Sequence, residues 1–158
     1  MIIKNFEIKN YIDKKNFFLI YGENHGLKED LILDISSNYS KESIFRYSER
    51  EIILNLEDFY NNIFSQSFFE KKKLIIITNT TDKIKNEIET ILSKNIEDII
   101  LVFTSGILDK KSKLRNLFEK NKELICAPVY KDDHRVLLNI ASSFFKSKKI
   151  DISAESLN

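Results

Sequence analysis

Cysteine, proline, glycine, long apolar runs and an excess of charge of one sign are all scarce in this chain. A single cysteine, Cys126, excludes an intramolecular disulfide framework and fits a reducing compartment. Three glycines and one proline in 158 residues leave no low-complexity tract, and no internal repeat is visible. No apolar run approaches the ~20 residues of a membrane span. Met1-Ile-Ile-Lys4 lacks the basic-then-apolar order of a signal peptide. Twenty-five basic against 24 acidic residues give a net charge of +1, so no overall field points to nucleic acid and any such role must come from a local patch. The expectation is a soluble, cytoplasmic chain with no membrane contact. Its length suits one domain, which at this size buries roughly 68–70% of its unfolded surface.

What is present is alternation. Short runs rich in Ile, Val and Phe, at 17–21, 43–47, 74–78, 99–104 and 123–127, predict strands. Several are apolar throughout, as strands covered on both faces are. Helical patterns separate them. One spans 26–39. A second opens with the capping box Ser48-x-x-Glu51 and carries Ile52, Leu56, Phe59, Tyr60 and Ile63 on one face. A third presents Ile84, Ile88, Ile91 and Leu92, and a fourth follows Asp109 as N-cap and buries Leu114, Leu117 and Phe118. Five strands with helical crossovers predict an α/β fold, a mostly parallel five-stranded sheet with helices on both faces. After Pro128 the alternation stops. A fifth helix over 132–146 carries Val136, Leu137, Ile140, Phe144 and Phe145, and Ser153 caps the start of a further one.

Tyr21-Gly-Glu-Asn-His-Gly-Leu-Lys-Glu-Asp30 follows the first strand and has the outline of a phosphate-binding loop, G-x-x-x-x-G-K-[ST]. Counted from Gly22, Lys28 falls on the lysine. The second glycine is Leu27, whose side chain obstructs close backbone approach to phosphate. The hydroxyl position is Glu29, a carboxylate where phosphate charge would sit. Thr78-Asn79 stands after the third strand in place of an acidic magnesium-binding pair. The loop keeps the shape and has lost the chemistry. His25 and His134 are not in metal-ligand spacing, Cys126 reads as core, and no nucleophile elbow is present. No catalytic residue, metal or cofactor is expected.

Phe64-Ser-Gln-Ser-Phe-Phe-Glu-Lys-Lys-Lys73 lies between the second helix and the third strand. Two adjacent aromatics on a loop cannot both point into one core. Phe68 and Phe69 therefore either cap the base of the sheet or anchor in a partner's apolar pocket. Lys110, Lys111, Lys113 and Arg115, with Lys120 and Lys122, form a basic cluster. It is either a solvated face or a surface for phosphate backbone, and no aromatic residues interleave it for base stacking.

Phe18-Leu-Ile-Tyr-Gly-Glu23, Ser67-Phe-Phe-Glu-Lys-Lys-Lys-Leu-Ile-Ile76 and Leu108-Asp-Lys-Lys-Ser-Lys-Leu-Arg115, in this order and spacing, resemble the N-terminal part of the delta subunits of bacterial DNA polymerase III. These are the clamp-loader subunits that open the sliding clamp. The resemblance implies a RecA-like domain of the AAA+ class over 1–128, without a functional phosphate loop. It implies the beginning of a helical second domain over 129–158, within which the sequence stops short of the family's collar domain. It places clamp binding at Ser67, Phe68 and Phe69. This sequence departs from the family motif in having Phe64 at the glutamine-like start and Phe-Phe for leucine-phenylalanine. Implied partners are the sliding clamp (beta subunit), the other loader subunits and, through the assembled loader, primed DNA. No catalysis of its own is implied, although the holoenzyme is a DNA-directed DNA polymerase. The competing classes are a nucleotide-dependent enzyme with a divergent loop and a DNA-binding module using the Lys110–Lys122 face.

Overall fold

Period-two burial on both faces of every central strand organises the molecule. The structure, a computed structural model, describes residues 1–65, 72–94, 96 and 98–153. Its strands are β1 (Phe17–Gly22), β2 (Ile44–Ser48), β3 (Lys73–Thr78), β4 (Ile99–Ser105) and β5 (Leu124–Val129). They form one sheet in the order β2-β3-β4-β1-β5. All four pairings are parallel, with Phe17 opposite both Leu101 and Leu124 in the centre. The helices are α1 (His25–Ser36), α2 (Glu49–Leu54), α3 (Leu56–Phe64), α4 (Lys85–Leu92), α5 (Lys113–Lys120) and α6 (His134–Ser147). The expected RecA-like α/β architecture is the one observed.

Each strand sends alternate residues to opposite cores. Phe17, Leu19, Ile75, Ile77, Leu101, Phe103 and Cys126 pack against Ile52, Phe59, Ile63, Ile88, Leu114 and Phe118 of α2 to α5. Phe18, Ile20, Leu74, Ile76, Val102 and Ile125 face Leu31, Ile32 and Ile35 of α1, together with Ile3, Ile8 and Ile12. This double coverage is why the strand sequences read as unbroken apolar runs. The Cys126 thiol is enclosed, and burial pushes its pKa up to about 12, the behaviour of a packing residue and not of a nucleophile.

Three local features differ from the periodicity. The predicted second helix is two helices: Asn55, with φ −136° and ψ 55°, closes α2 and opens α3. The stripe nevertheless survives, because Ile52, Phe59 and Ile63 enter one core. Asp109 is not the N-cap of α5. Ser112 is, accepting from the Arg115 amide at 3.1 Å, while Asp109 closes the preceding turn by accepting from the Lys111 and Ser112 amides. Residues 1–16, which carry no strand or long helical pattern, fold beside β5. Ile2 bridges Cys126 in parallel, the Ile3 amide donates to the Cys126 carbonyl at 2.9 Å, and Asn5–Asn10 forms a 3-10 helix.

α6 is capped by Asp133, which accepts from the Val136 amide at 2.8 Å. It has no buried residue, and Val136, Leu137, Ile140 and Phe144 stand exposed. The helix expected after Ser153 lies outside the described residues. No described helix is long and apolar enough to cross a membrane.

Candidate functional site

The turn after β1 is where a parallel sheet of this kind binds phosphate. Gly22 adopts φ +139°, and a Cβ there would run into the Val129 carbonyl oxygen. The position needs glycine for its backbone, whatever it binds. Asn24 caps α1 by accepting from the Leu27 amide at 3.0 Å, and its own amide donates to Asp132 at 2.8 Å. Lys28 is buried. Its ammonium donates to the carbonyls of Gly22 at 3.0 Å and Ser105 at 2.9 Å. Burial lowers its pKa, with neighbouring Glu29 acting in the opposite direction. The lysine that would neutralise phosphate is therefore spent joining the ends of β1 and β4, while Glu29 lies exposed beside it.

The neighbouring strand ends are tied together in the same manner. Buried Glu49 accepts from the amide and the hydroxyl of Thr81, at 2.5 and 2.7 Å. Thr80 donates to the Thr104 carbonyl at 3.0 Å, and the Ser105 hydroxyl donates to the Thr80 carbonyl at 2.6 Å. Asp82 accepts from the Ser112 hydroxyl at 2.7 Å and the Leu114 amide at 2.9 Å. The Leu114 amide bond is the largest influence holding its carboxyl below the usual range. The carboxyl edge of the sheet is thus knitted by internal hydrogen bonds between β1, β4, α1, α2, α5 and the turn that follows β3. Sequence inspection located Lys28 but not this use of it. The only signal was the mismatch of Leu27 and Glu29 around it.

At the opposite edge, α3 ends in aromatic and cationic contacts. Tyr60 and Phe64 stack at 5.9 Å, and the Lys94 ammonium lies 4.2 Å from the Phe64 ring centre. Phe64 packs against the core. Lys73, buried at the start of β3, donates to the carbonyls of Asn62 at 3.2 Å and Ser65 at 2.8 Å. A cation on the last carbonyls of a helix satisfies orphan acceptors and complements the dipole. Ser65 and Lys73 are thereby joined on either side of 66–71. Ser67, Phe68 and Phe69 lie outside the described residues.

The basic cluster separates into two groups. Lys110, Lys111 and Lys113 are exposed, as are Lys120 and Lys122. Arg115 turns away from them: Nε donates to Glu119 at 2.7 Å, Nη1 donates to the Leu108 carbonyl at 3.0 Å, and the guanidinium lies 5.3 Å from the Tyr21 ring centre. It is a packing residue of the β1 and α5 junction and leaves the predicted face. Lys85, from the first turn of α4, joins Lys111, Lys113, Lys120 and Lys122 along one groove. Nothing in the local sequence pairs Lys85 with α5. His25 and His134 are exposed, and the described residues contain no group of three or more His, Cys, Asp or Glu placed to hold a metal.

Comparison with known proteins adds a family. The family described as DNA polymerase III, delta subunit, matches residues 18–127, well over half of the chain. The Bacillus subtilis DNA clamp loader delta protein superposes with a TM-score of 0.68 at 13% identity, over 97% of this chain and 50% of that one. A DNA replication initiation factor superposes with a TM-score of 0.56 at 16% identity, over 96% of this chain and 51% of the other. The chain thus spans about half the length of both solved proteins. No curated protein sequence matches it. At such identities the superpositions speak for the fold, and the match over 18–127 speaks for descent: this chain belongs to the DNA polymerase III delta-subunit family.

Proposed function

We propose that the chain works in DNA replication as part of a clamp-loader delta subunit, binding the sliding clamp and helping to open it. The observation that carries the proposal is the family match over 18–127. It encloses the Phe68-Phe69 pair between α3 and β3, where the resembled family carries its clamp-binding element. The joined stem supports it, because the Lys73 bonds to Asn62 and Ser65 anchor both flanks of that stretch. Ser67, Phe68 and Phe69 are the proposed contact. Phe64, packed on the core, precedes that stretch at the end of α3.

The work required is mechanical. Burying two phenylalanines in an apolar pocket yields roughly 1.5–3 kcal/mol each before the costs of association. A partner that binds the opened clamp more tightly than the closed one shifts it toward opening, and only by that difference in affinity. Nucleotide hydrolysis is assigned to other loader subunits, in keeping with a Lys28 already bonded to two carbonyls. The same bonds weigh against a nucleotide-dependent enzyme. We assign residues 1–128 to the sheet domain and 129–158 to the beginning of a helical second domain, for which the exposed stripe of α6 is the packing face. The partners assigned to the complete subunit are the clamp, the other loader subunits and primed DNA.

Titration calorimetry against a bacterial sliding clamp tests the contact. The wild-type chain is expected to bind at micromolar dissociation constant or tighter, and Phe68→Ala/Phe69→Ala to weaken it by about a hundredfold or more. Absence of wild-type binding rejects the function, and undiminished binding by the double variant rejects the contact residues.

A further inference from the structure

We propose that the loop after β1 is a clasp that sets the direction in which α6 leaves the sheet, with Asn24 as the positioning residue and Asp132 as its partner. The Asn24 side chain is used at both ends. Its oxygen accepts from the Leu27 amide at 3.0 Å and so caps α1, while its nitrogen donates to Asp132 at 2.8 Å. The two bonds need opposite ends of one planar group, so together they fix its orientation. Asp132 adjoins Asp133, which caps α6 by accepting from the Val136 amide. One short run of polar contacts thus ties the first turn of α1 to the first turn of α6, through two residues 108 positions apart.

Little else holds α6. It buries no residue. An open groove of about 710 Å³, lined by Ile3, Leu27, Pro128, Val136 and Ile140, runs along its first turns in place of a filled contact. Tyr130, Lys131 and Asp132, which lead into it, belong to no strand or helix. The loop, by contrast, is firmly based. Gly22 lies so close to Val129 that a Cβ would meet the Val129 carbonyl. The Gly22 amide donates to the Gly106 carbonyl at 3.0 Å, and Lys28 binds the far side of the loop to β1 and β4. A hydrogen bond to a carboxylate is among the stronger kinds, and Asp132 accepts from no other described residue. The carboxylate takes its bearing from Asn24.

The residue types fit this work. Aspartate at position 24 would cap α1 as well as asparagine does, but would set a second carboxylate against Asp132. Leu27, which obstructs phosphate, is half-buried and lines the groove with Val136 and Ile140. The residue that closes the loop to phosphate therefore gives α6 an apolar neighbour. The clasp belongs to the chain's own fold and stands whether or not the clamp contact does.

Double electron–electron resonance between spin labels at Leu33→Cys on α1 and Ser143→Cys on α6 tests it; both positions are exposed and Cys126 is enclosed. A second pair, Leu33→Cys with Lys122→Cys, reports on the sheet domain alone. With Asn24 and Asp132 in place, the first pair is expected to give one narrow distance distribution. Asp132→Ala removes the acceptor and spares the α1 cap, and Asn24→Asp keeps the cap but opposes two carboxylates. Each is expected to lower the population at the wild-type distance, relative to all others, by about tenfold. Asn24→Asp/Asp132→Asn reverses donor and acceptor and should restore the narrow distribution, which a role in capping alone would not do. The second pair should be unchanged throughout. A broad wild-type distribution, single variants that keep its distance and width, a reversed pair no better than Asn24→Asp alone, or an equal change in the second pair would each overturn the proposal.

Discussion

Lys28 shows how a residue can keep its place in a motif and change its work. At the end of β1 it faces two backbone carbonyls, not a ligand. Replacing it leaves the Gly22 and Ser105 carbonyls without their donor, a loss of about 1–3 kcal/mol in all. Lys28→Met retains the apolar stem and loses the bonds. It is expected to lower the unfolding free energy by about 1–3 kcal/mol in urea denaturation, and a midpoint equal to wild type would remove the staple from the account. The motif was legible because it depends on position in the chain. The direction of the side chain was not, because four rotatable bonds let one lysine reach either a phosphate or the Gly22 and Ser105 carbonyls.

Among elements, the instructive case is α5, an eight-residue helix with a partner far away in sequence. Ser112 supplies a local cap, and Asp82 adds a second acceptor from before α4. Asp82→Ala is expected to cost about 0.5–2 kcal/mol, the usual range for a lost cap. The pH dependence has a definite sign. The folded carboxyl titrates below its ordinary value of 3.8, so its contribution is complete above that value and lost as pH falls through the folded pKa. Acid unfolding of wild type and Asp82→Ala should therefore converge at low pH. A constant gap down to the most acid measurable point would refute the assignment. The capping box of α2 was readable because Ser48 and Glu51 are three residues apart, whereas Asp82 and Leu114 are neighbours only after folding. Asn55 divided one predicted helix into two without moving its apolar face, since Ile52 and Phe59 still meet the same core.

Across the whole molecule, burial predicts a gradient of local stability. β1 and β4 are enclosed on both faces, while α6 buries no residue. Hydrogen exchange should show the amides of β1 and β4 as the slowest and those of α6 as among the fastest, because opening α6 exposes little new apolar surface. Protection of α6 equal to that of the central strands would mean that its exposed stripe is covered in solution.

Composition and periodicity alone determined the parallel sheet, its five strands to within a few residues at each end, and the coverage of both faces. These properties follow from apolar residues recurring at local spacing, and the burial they require leaves few other arrangements. The failure of the phosphate loop was equally local, written in Leu27 and Glu29. Only the tertiary structure decided that Arg115 turns toward Glu119 and Tyr21, that Lys85 joins the lysines of α5, and that Ile2 and Ile3 line up beside β5. Each of those outcomes depends on a long side chain or a chain end choosing among several partners distant in sequence, and only the folded packing makes that choice.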